Sequence, residues 1–129
     1  MRKAFDLTNA LIAAAHEGRI ASVRKLLREG AEPWAANSAA LICAAAAGHL
    51  SIVRVLIAAG ASVSSLNDRA VELAAKYGHP DVVMALLVAG ASIDAAKEGA
   101  RSAPVPTPEV AHVISQFGQS TGAWLTSAV

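Results

Sequence analysis

Five side chains are best equipped for chemistry here: His16, His49, His79, His112 and the single cysteine, Cys43. Imidazole and thiolate are the common ligands of zinc, and a cysteine beside a histidine is the simplest activated nucleophile. Their spacing argues against both. His49 and His79 stand thirty residues apart, each directly after a glycine, in two nearly duplicate segments, "AAAAGHLSIVRVLIAAGAS" and "LAAKYGHPDVVMALLVAGAS". Histidines at equivalent positions of stacked units are held apart by the helix spacing of ~8–10 Å, whereas zinc binds each ligand at ~2 Å. An imidazole hydrogen-bonded at its turn is the reading that remains. Cys43 lies in an apolar stretch with no histidine placed to activate it, which marks it as a small buried hydrophobe. No phosphate loop, HExxH, GxSxG or paired-carboxylate motif occurs. The sequence therefore predicts no catalytic residue, no metal site and no cofactor.

The duplication itself needs an explanation. Gly18, Gly48 and Gly78 form one series and Gly30, Gly60 and Gly90 another, with one shared period. A looser copy, "IAAAHEGRIASVRKLLREGAE", precedes the two close ones in the same register. A fixed period of this size is the mark of a stacked repeat. Each unit separates into two short helices. The first shows apolar contacts at i, i+3 and i+4: Leu11, Ala14, Ala15; Leu41, Ala44, Ala45; Val71, Ala74, Ala75. The second repeats that spacing at Val23, Leu26, Leu27; Val53, Leu56, Ile57; and Val83, Leu86, Leu87. Glycine closes every helix, where it supplies the left-handed residue that ends one. Pro80 stands at a helix start, where its missing N–H costs nothing.

Composition agrees. A chain of 129 residues has room for one compact domain. Its 54% apolar content with only 4% aromatic residues places much of the excess in alanine, so the core must come from close helix packing. A net charge of +1 offers no argument for nucleic acid. One cysteine cannot form an internal disulfide, which fits a reducing compartment. "MRKAFDLTNALIAAA" begins like a signal peptide, but Asp6 and Asn9 interrupt it and its second half belongs to the repeat. The uncharged run from Pro33 to Val53 is divided by Gly48 into pieces too short to span a membrane. A cytoplasmic protein without membrane contact is expected.

"NDRAVELAAKYGHPDVVMALLVAGASI", from Asn67 to Ile93, resembles the ankyrin repeat, and the two earlier units follow it. The ankyrin period is usually ~33 residues; here it is thirty, and the three missing residues fall in the connecting hairpin. The Thr-Pro-Leu-His opening of that repeat is replaced by Asn9-Ala10-Leu11, Ala39-Ala40-Leu41 and Arg69-Ala70-Val71, so tight turns are expected in place of projecting fingers. The resemblance implies an all-α, ankyrin-type helical solenoid of three repeats plus a divergent C-terminal capping unit. The repeats would occupy 1–93 (about 5–33, 34–63 and 64–93), and the cap and tail 94–129.

Past Ile93 the likeness fades. "AAKEGARSAPVPTPEV" reads as an extended connector because of Pro104, Pro106 and Pro108. Thr107-Pro108 then opens a helix with Val110, Val113, Ile114 and Phe117 on one face. It fits either helix of a degenerate fourth unit, and either way it would cap the stack. The segment "GAWLTSAV" carries Trp124 and Leu125 and is expected to fold back on the third repeat or to reach a second copy, giving a monomer or a dimer through this tail.

What remains is surface. The first-helix positions expected to face away from the core are Ile12, His16 and Glu17, then Ile42, Ala46 and Ala47, then Glu72, Lys76 and Tyr77. The resemblance implies that these helices line a concave face and touch a partner just before the turn glycine. Polar walls would then flank an Ile-Ala-Ala floor with an aromatic rim at Tyr77. Alternatively Glu72 and Lys76 form only an i,i+4 pair, and the alanines serve only packing. The turns add Trp34, Asn37, Leu66, Asp68 and Arg69 as partner-binding candidates. Trp34 stands where later units carry Ser64 and Asp94, either to meet a partner or to pack under the shortened turn. A module that binds another protein, as an inhibitor, immunity protein or adaptor, is the expected function. The alternatives are an enzyme or ligand-binding protein using Glu109, His112 and Trp124, or a structural subunit of an assembly.

Overall fold

In the computed structural model of the chain, residues 4–104 and 107–117 are described. Eight helices account for their regular structure: α1 (Ala4–Glu17), α2 (Ile20–Arg28), α3 (Ala35–Ala47), α4 (Leu50–Ala58), α5 (Ser65–Lys76), α6 (Pro80–Val88), α7 (Ile93–Arg101) and α8 over 108–117. No strand occurs among the described residues. The fold is an all-helical ankyrin-type solenoid. Each pair α1–α2, α3–α4 and α5–α6 is a hairpin; α1, α3, α5 and α7 pack side by side in one row, with α2, α4 and α6 in a second.

One core runs between the rows. Leu11, Leu41 and Val71 on the first helices and Val23, Val53 and Val83 on the second are essentially fully buried. Ala44, Ala45, Ala74 and Ala75 are shut off from water as well. Their small side chains let neighbouring first helices close on one another, which is how an alanine-rich chain buries enough surface. The helix ends are closed by a repeated device. In α4 the Gly60 N–H bonds the Ile57 carbonyl at 3.1 Å and the Ala61 N–H bonds that of Leu56 at 2.9 Å, the two-bond glycine cap. Gly48 caps α3 with φ of 82°, which glycine adopts at no steric cost.

The units also grip one another. The Nε2 of His49 lies 3.1 Å from the carbonyl oxygen of His16, and that of His79 lies 3.0 Å from the carbonyl of Ala46. The expected turn hydrogen bond is thus one that crosses from a repeat to its predecessor. Each imidazole also lies over the turn glycine of the preceding repeat, so that a Cβ at Gly48 would come within 2.6 Å of the His79 ring. The first repeat, with no described neighbour on that side, departs from the pattern. It has Arg19 in place of the histidine, and Ser22 where Ile52 and Val82 are buried. A terminal repeat needs such a polar outer face.

Two sequence expectations are corrected. The stretch after Ile93 is not an extended connector: α7 runs to Arg101, started by a Ser92 side chain that accepts from the Ala95 N–H at 3.4 Å. α7 packs on α5 so closely that a Cβ on Gly99 would overlap the Glu72 carbonyl oxygen. The prolines act only after α7 has ended. α7 is therefore a first helix, and α8 takes the place of a second one. Thr107 stands over Gly78 as His79 stands over Gly48, and Val110 and Ile114 enter the core. Ile12 and Ile42, expected to face outward, are only partly exposed and pack against the core. The tail reading, with Trp124 and Leu125, lies outside the described residues.

The turns hold a feature that periodicity did not announce. α3 and α5 each open on three consecutive left-handed residues: Ala36, Asn37 and Ser38 at φ of 54–58°, and Leu66, Asn67 and Asp68 at φ of 54–61°. Asparagine and aspartate tolerate this region; alanine and leucine are strained there by ~1–2 kcal/mol each. The last residue of each turn earns its position. The fully buried Ser38 Oγ accepts from the Ser62 N–H at 2.9 Å, and Asp68 Oδ1 accepts from the Ser92 N–H at 3.2 Å. Each bond ties the entry of an inner repeat to its exit. In a 30-residue unit with no hairpin finger, this turn makes the connection.

Candidate functional site

The sequence-predicted surface residues fall into two groups at opposite ends of the first-helix row. His16 and Glu17 end α1, Ala46 and Ala47 end α3, and Lys76 ends α5 with Tyr77 as its C-cap, at equivalent positions just before the turn glycines. Trp34, Asn37, Leu66, Asp68 and Arg69 stand at the other end, where α3 and α5 begin. The right-handed part of each helix separates the groups by roughly 13 Å at 1.5 Å per residue. Ile42 and Glu72 lie between them.

At the glycine end, Tyr77 is 53% exposed and the Lys76 ammonium lies 5.8 Å from its ring centre. That geometry is a cation–π contact of the exposed kind, stabilising by ~0.5–1 kcal/mol. Ala46 and Ala47, partly exposed, hold the equivalent positions of the neighbouring repeat. His16 and Glu17 complete the row, both exposed, with Glu17 Oε2 2.9 Å from Arg19 Nε. The Glu72–Lys76 pair, weighed as the alternative, does not form; Glu72 Oε1 accepts from Arg69 Nη1 at 3.0 Å instead. Lys76 is thereby left to the tyrosine.

At the turn end, Trp34 is partly packed and partly open. Its ring lies against Gly60, 3.5 Å from where a Cβ would stand, yet it remains 54% exposed. Leu66 is 57% exposed on a strained left-handed backbone. Asn37 is exposed in the equivalent turn. Asp68 is different: it is half-buried and already engaged by the Ser92 N–H, so its first duty is structural.

Sequence reasoning missed Cys43 and Leu73 as surface residues. Both are partly exposed, four residues before Ala47 and Tyr77 on the same helical stripe. Counting back by four from the chosen positions would have found them. Burial still pushes the Cys43 thiol up, which keeps it protonated and slow to react. On the C-terminal unit, Glu109 and His112 are exposed beside Pro80, Pro108 and Val113 along an open groove. Among the described residues, no three His, Cys, Asp or Glu side chains come together as a metal site, and no helix is long and apolar enough to cross a membrane.

The surface is thus a row of helix ends bearing exposed aromatic, apolar and charged groups. A comparison with curated proteins finds no match. The family model for ankyrin repeats, in three copies, matches residues 11–97. That match runs from within α1 to within α7 and covers more than half of the chain, so the chain belongs to the ankyrin-repeat family.

Proposed function

We propose that this chain is a non-enzymatic interaction module that binds one macromolecular partner, a protein, through the exposed ends of its first helices and the adjoining turns. Ankyrin repeats are in general protein–protein interaction modules and are typically non-enzymatic. The observation that carries the reading is Tyr77. A phenol ring 53% exposed and held under a lysine, with two small alanines at the equivalent positions of the neighbouring repeat, contributes little to its own fold. Rigid aromatic anchors with small neighbours are what partner proteins bury. Trp34 and Leu66 offer a second set of anchors at the far end of the same helices. The module would act by occupying its partner's surface, as an inhibitor, immunity protein or adaptor in the cytoplasm, with no role for nucleic acid or membrane.

The test starts from a pull-down in the native host with mass spectrometry, followed by titration of the identified partner. Ala46→Arg and Tyr77→Ala alter exposed positions, so stability should shift by only ~0.5 kcal/mol. Affinity should fall tenfold or more, equivalent to ~1.4 kcal/mol. Unchanged affinity in both variants would move the contact to the turns or the outer face.

A further inference from the structure

The outer face of the second helices changes character along the stack. Equivalent positions read Arg24, Arg54, Met84 in one row and Arg28, Ala58, Val88 in the other. Arg24, Arg28 and Arg54 are exposed, and among the described residues none of them pairs with a carboxylate. Glu29, next to Arg28 in sequence, lines a separate hollow of the first repeat together with Lys25. Three residues before the first row stand Ala21, Ser51 and Asp81, so an acid enters this face only in the third repeat. Three guanidinium groups on neighbouring helices therefore carry unneutralised charge, in a chain whose net charge is only +1. Over the third repeat the face turns apolar, with Val88 71% exposed. Between α4 and α6 lies an open groove, lined by Ile57 and Ala58 from one helix and Met84, Ala85 and Val88 from the other. Arg54 and Asp81 also line it, so Arg54 belongs to both the basic patch and the groove.

We propose that this outer face is a second docking surface, and that its occupant is a protein segment carrying acidic residues next to large apolar ones. The carboxylates of that segment lie on Arg24, Arg28 and Arg54, and its apolar side chains enter the α4–α6 groove. Charge complementarity selects the acidic half, because a guanidinium binds a carboxylate through two parallel hydrogen bonds. The recess selects the apolar half, as in other grooves that receive an amphipathic segment. From α2 to α6 is two helix spacings, roughly 20 Å. A helix of about 13 residues covers that span. A phosphate backbone would satisfy the arginines but leave the apolar half unmatched. A bilayer would need a protruding apolar ridge with aromatic side chains, whereas these residues line a recess and neither row holds an aromatic. The surface belongs to the second-helix row, so it is independent of the partner-binding reading for the first-helix ends.

The experiment pans a phage-displayed library of random dodecapeptides on the full chain at low salt. Enriched peptides should combine acidic residues with large apolar ones. Such a peptide, made with a fluorophore, is then titrated by anisotropy. Arg24→Gln and Arg54→Gln should each weaken it about threefold, and the double variant tenfold or more. Added salt should weaken binding to the unaltered chain more than to the double variant. Val88→Ser should lower affinity several-fold while the salt dependence stays as it was. All three positions are exposed, so helicity by circular dichroism should not change. Tyr77→Ala should have no effect on this peptide. Enrichment of peptides without acidic residues overturns the proposal. So does binding that ignores the arginine variants; if it falls with Tyr77→Ala, the peptide sits at the first-helix ends and only the outer-face proposal is lost. Arginine-dependent sedimentation with phosphatidylserine–phosphatidylcholine vesicles, without any acidic peptide enriched, makes the ligand a lipid surface and overturns it as well.

Discussion

His79 shows how much one side chain can hold in a repeat stack. Its Nε2 reaches the Ala46 carbonyl at 3.0 Å while its ring fills the space over Gly48. Removing it deletes a hydrogen bond and leaves a void at the seam between two repeats. We expect His79→Ala to destabilise by about 1–2 kcal/mol, read as a lower urea midpoint at unchanged slope. His49→Ala should act in the same direction through the His16 carbonyl. His112→Ala, on the exposed side of α8, should stay within about 0.5 kcal/mol. Equal effects from all three would remove the special role of the turn histidines. Spacing alone had excluded metal binding by the pair, but it could not show which carbonyl each ring reaches. That acceptor lies 33 residues earlier, across the seam.

The left-handed turns belong to the scale of the element. Leu66 is strained by its positive φ and yet exposes 57% of its surface, so neither backbone preference nor burial favours leucine there. Glycine adopts this conformation without penalty. Leu66→Gly should therefore keep or raise stability, by up to about 1 kcal/mol after the unfolded chain's added freedom is counted. If leucine is retained for contact, the same variant should bind the partner more weakly. Asp68→Gly, two residues on, should instead lose stability along with the Ser92 hydrogen bond. Thermal denaturation and titration on the two variants separate these outcomes. A loss of stability in Leu66→Gly with intact affinity would count against the functional reading of the turn. The i+3 and i+4 apolar spacing located these helices, but apolar spacing carries no information about the sign of φ at their first residues. Asn37 and Asn67 were the available hints.

For the whole molecule, stability is a sum over hairpins and the seams between them. The middle repeat touches both neighbours, and Leu56 within it is completely buried. Leu56→Ala should cost about 2–5 kcal/mol. That is a large part of the total for a domain of this size and should bring unfolding close to working temperatures. Circular dichroism melts would show a fall well beyond that of any surface variant described above. A melt near the original temperature would mean that the outer repeats fold independently of the middle one.

The sequence by itself determined the repeat, the pairing of helices and the glycine caps, because these depend on local periodicity and on residues a few positions apart. Leu11, Leu41 and Val71 could be assigned to the core before any coordinates, and all three are buried. The tertiary structure decided what lies between units. It turned the stretch from Ile93 to Arg101, before the prolines, into a first helix, since packing α7 on α5 through Gly99 outweighs the weak local signal of "DAAKEGAR". It paired Glu72 with Arg69 where the sequence offered Lys76 equally well, because i,i+3 and i,i+4 partners stand at similar distances on a helix. It also drew Ile42 partly into the core and left Cys43 partly outside it, a distinction that rests on how closely α1, α3 and α5 approach one another. Those approaches are set by contacts thirty residues apart in the chain, which no local pattern records.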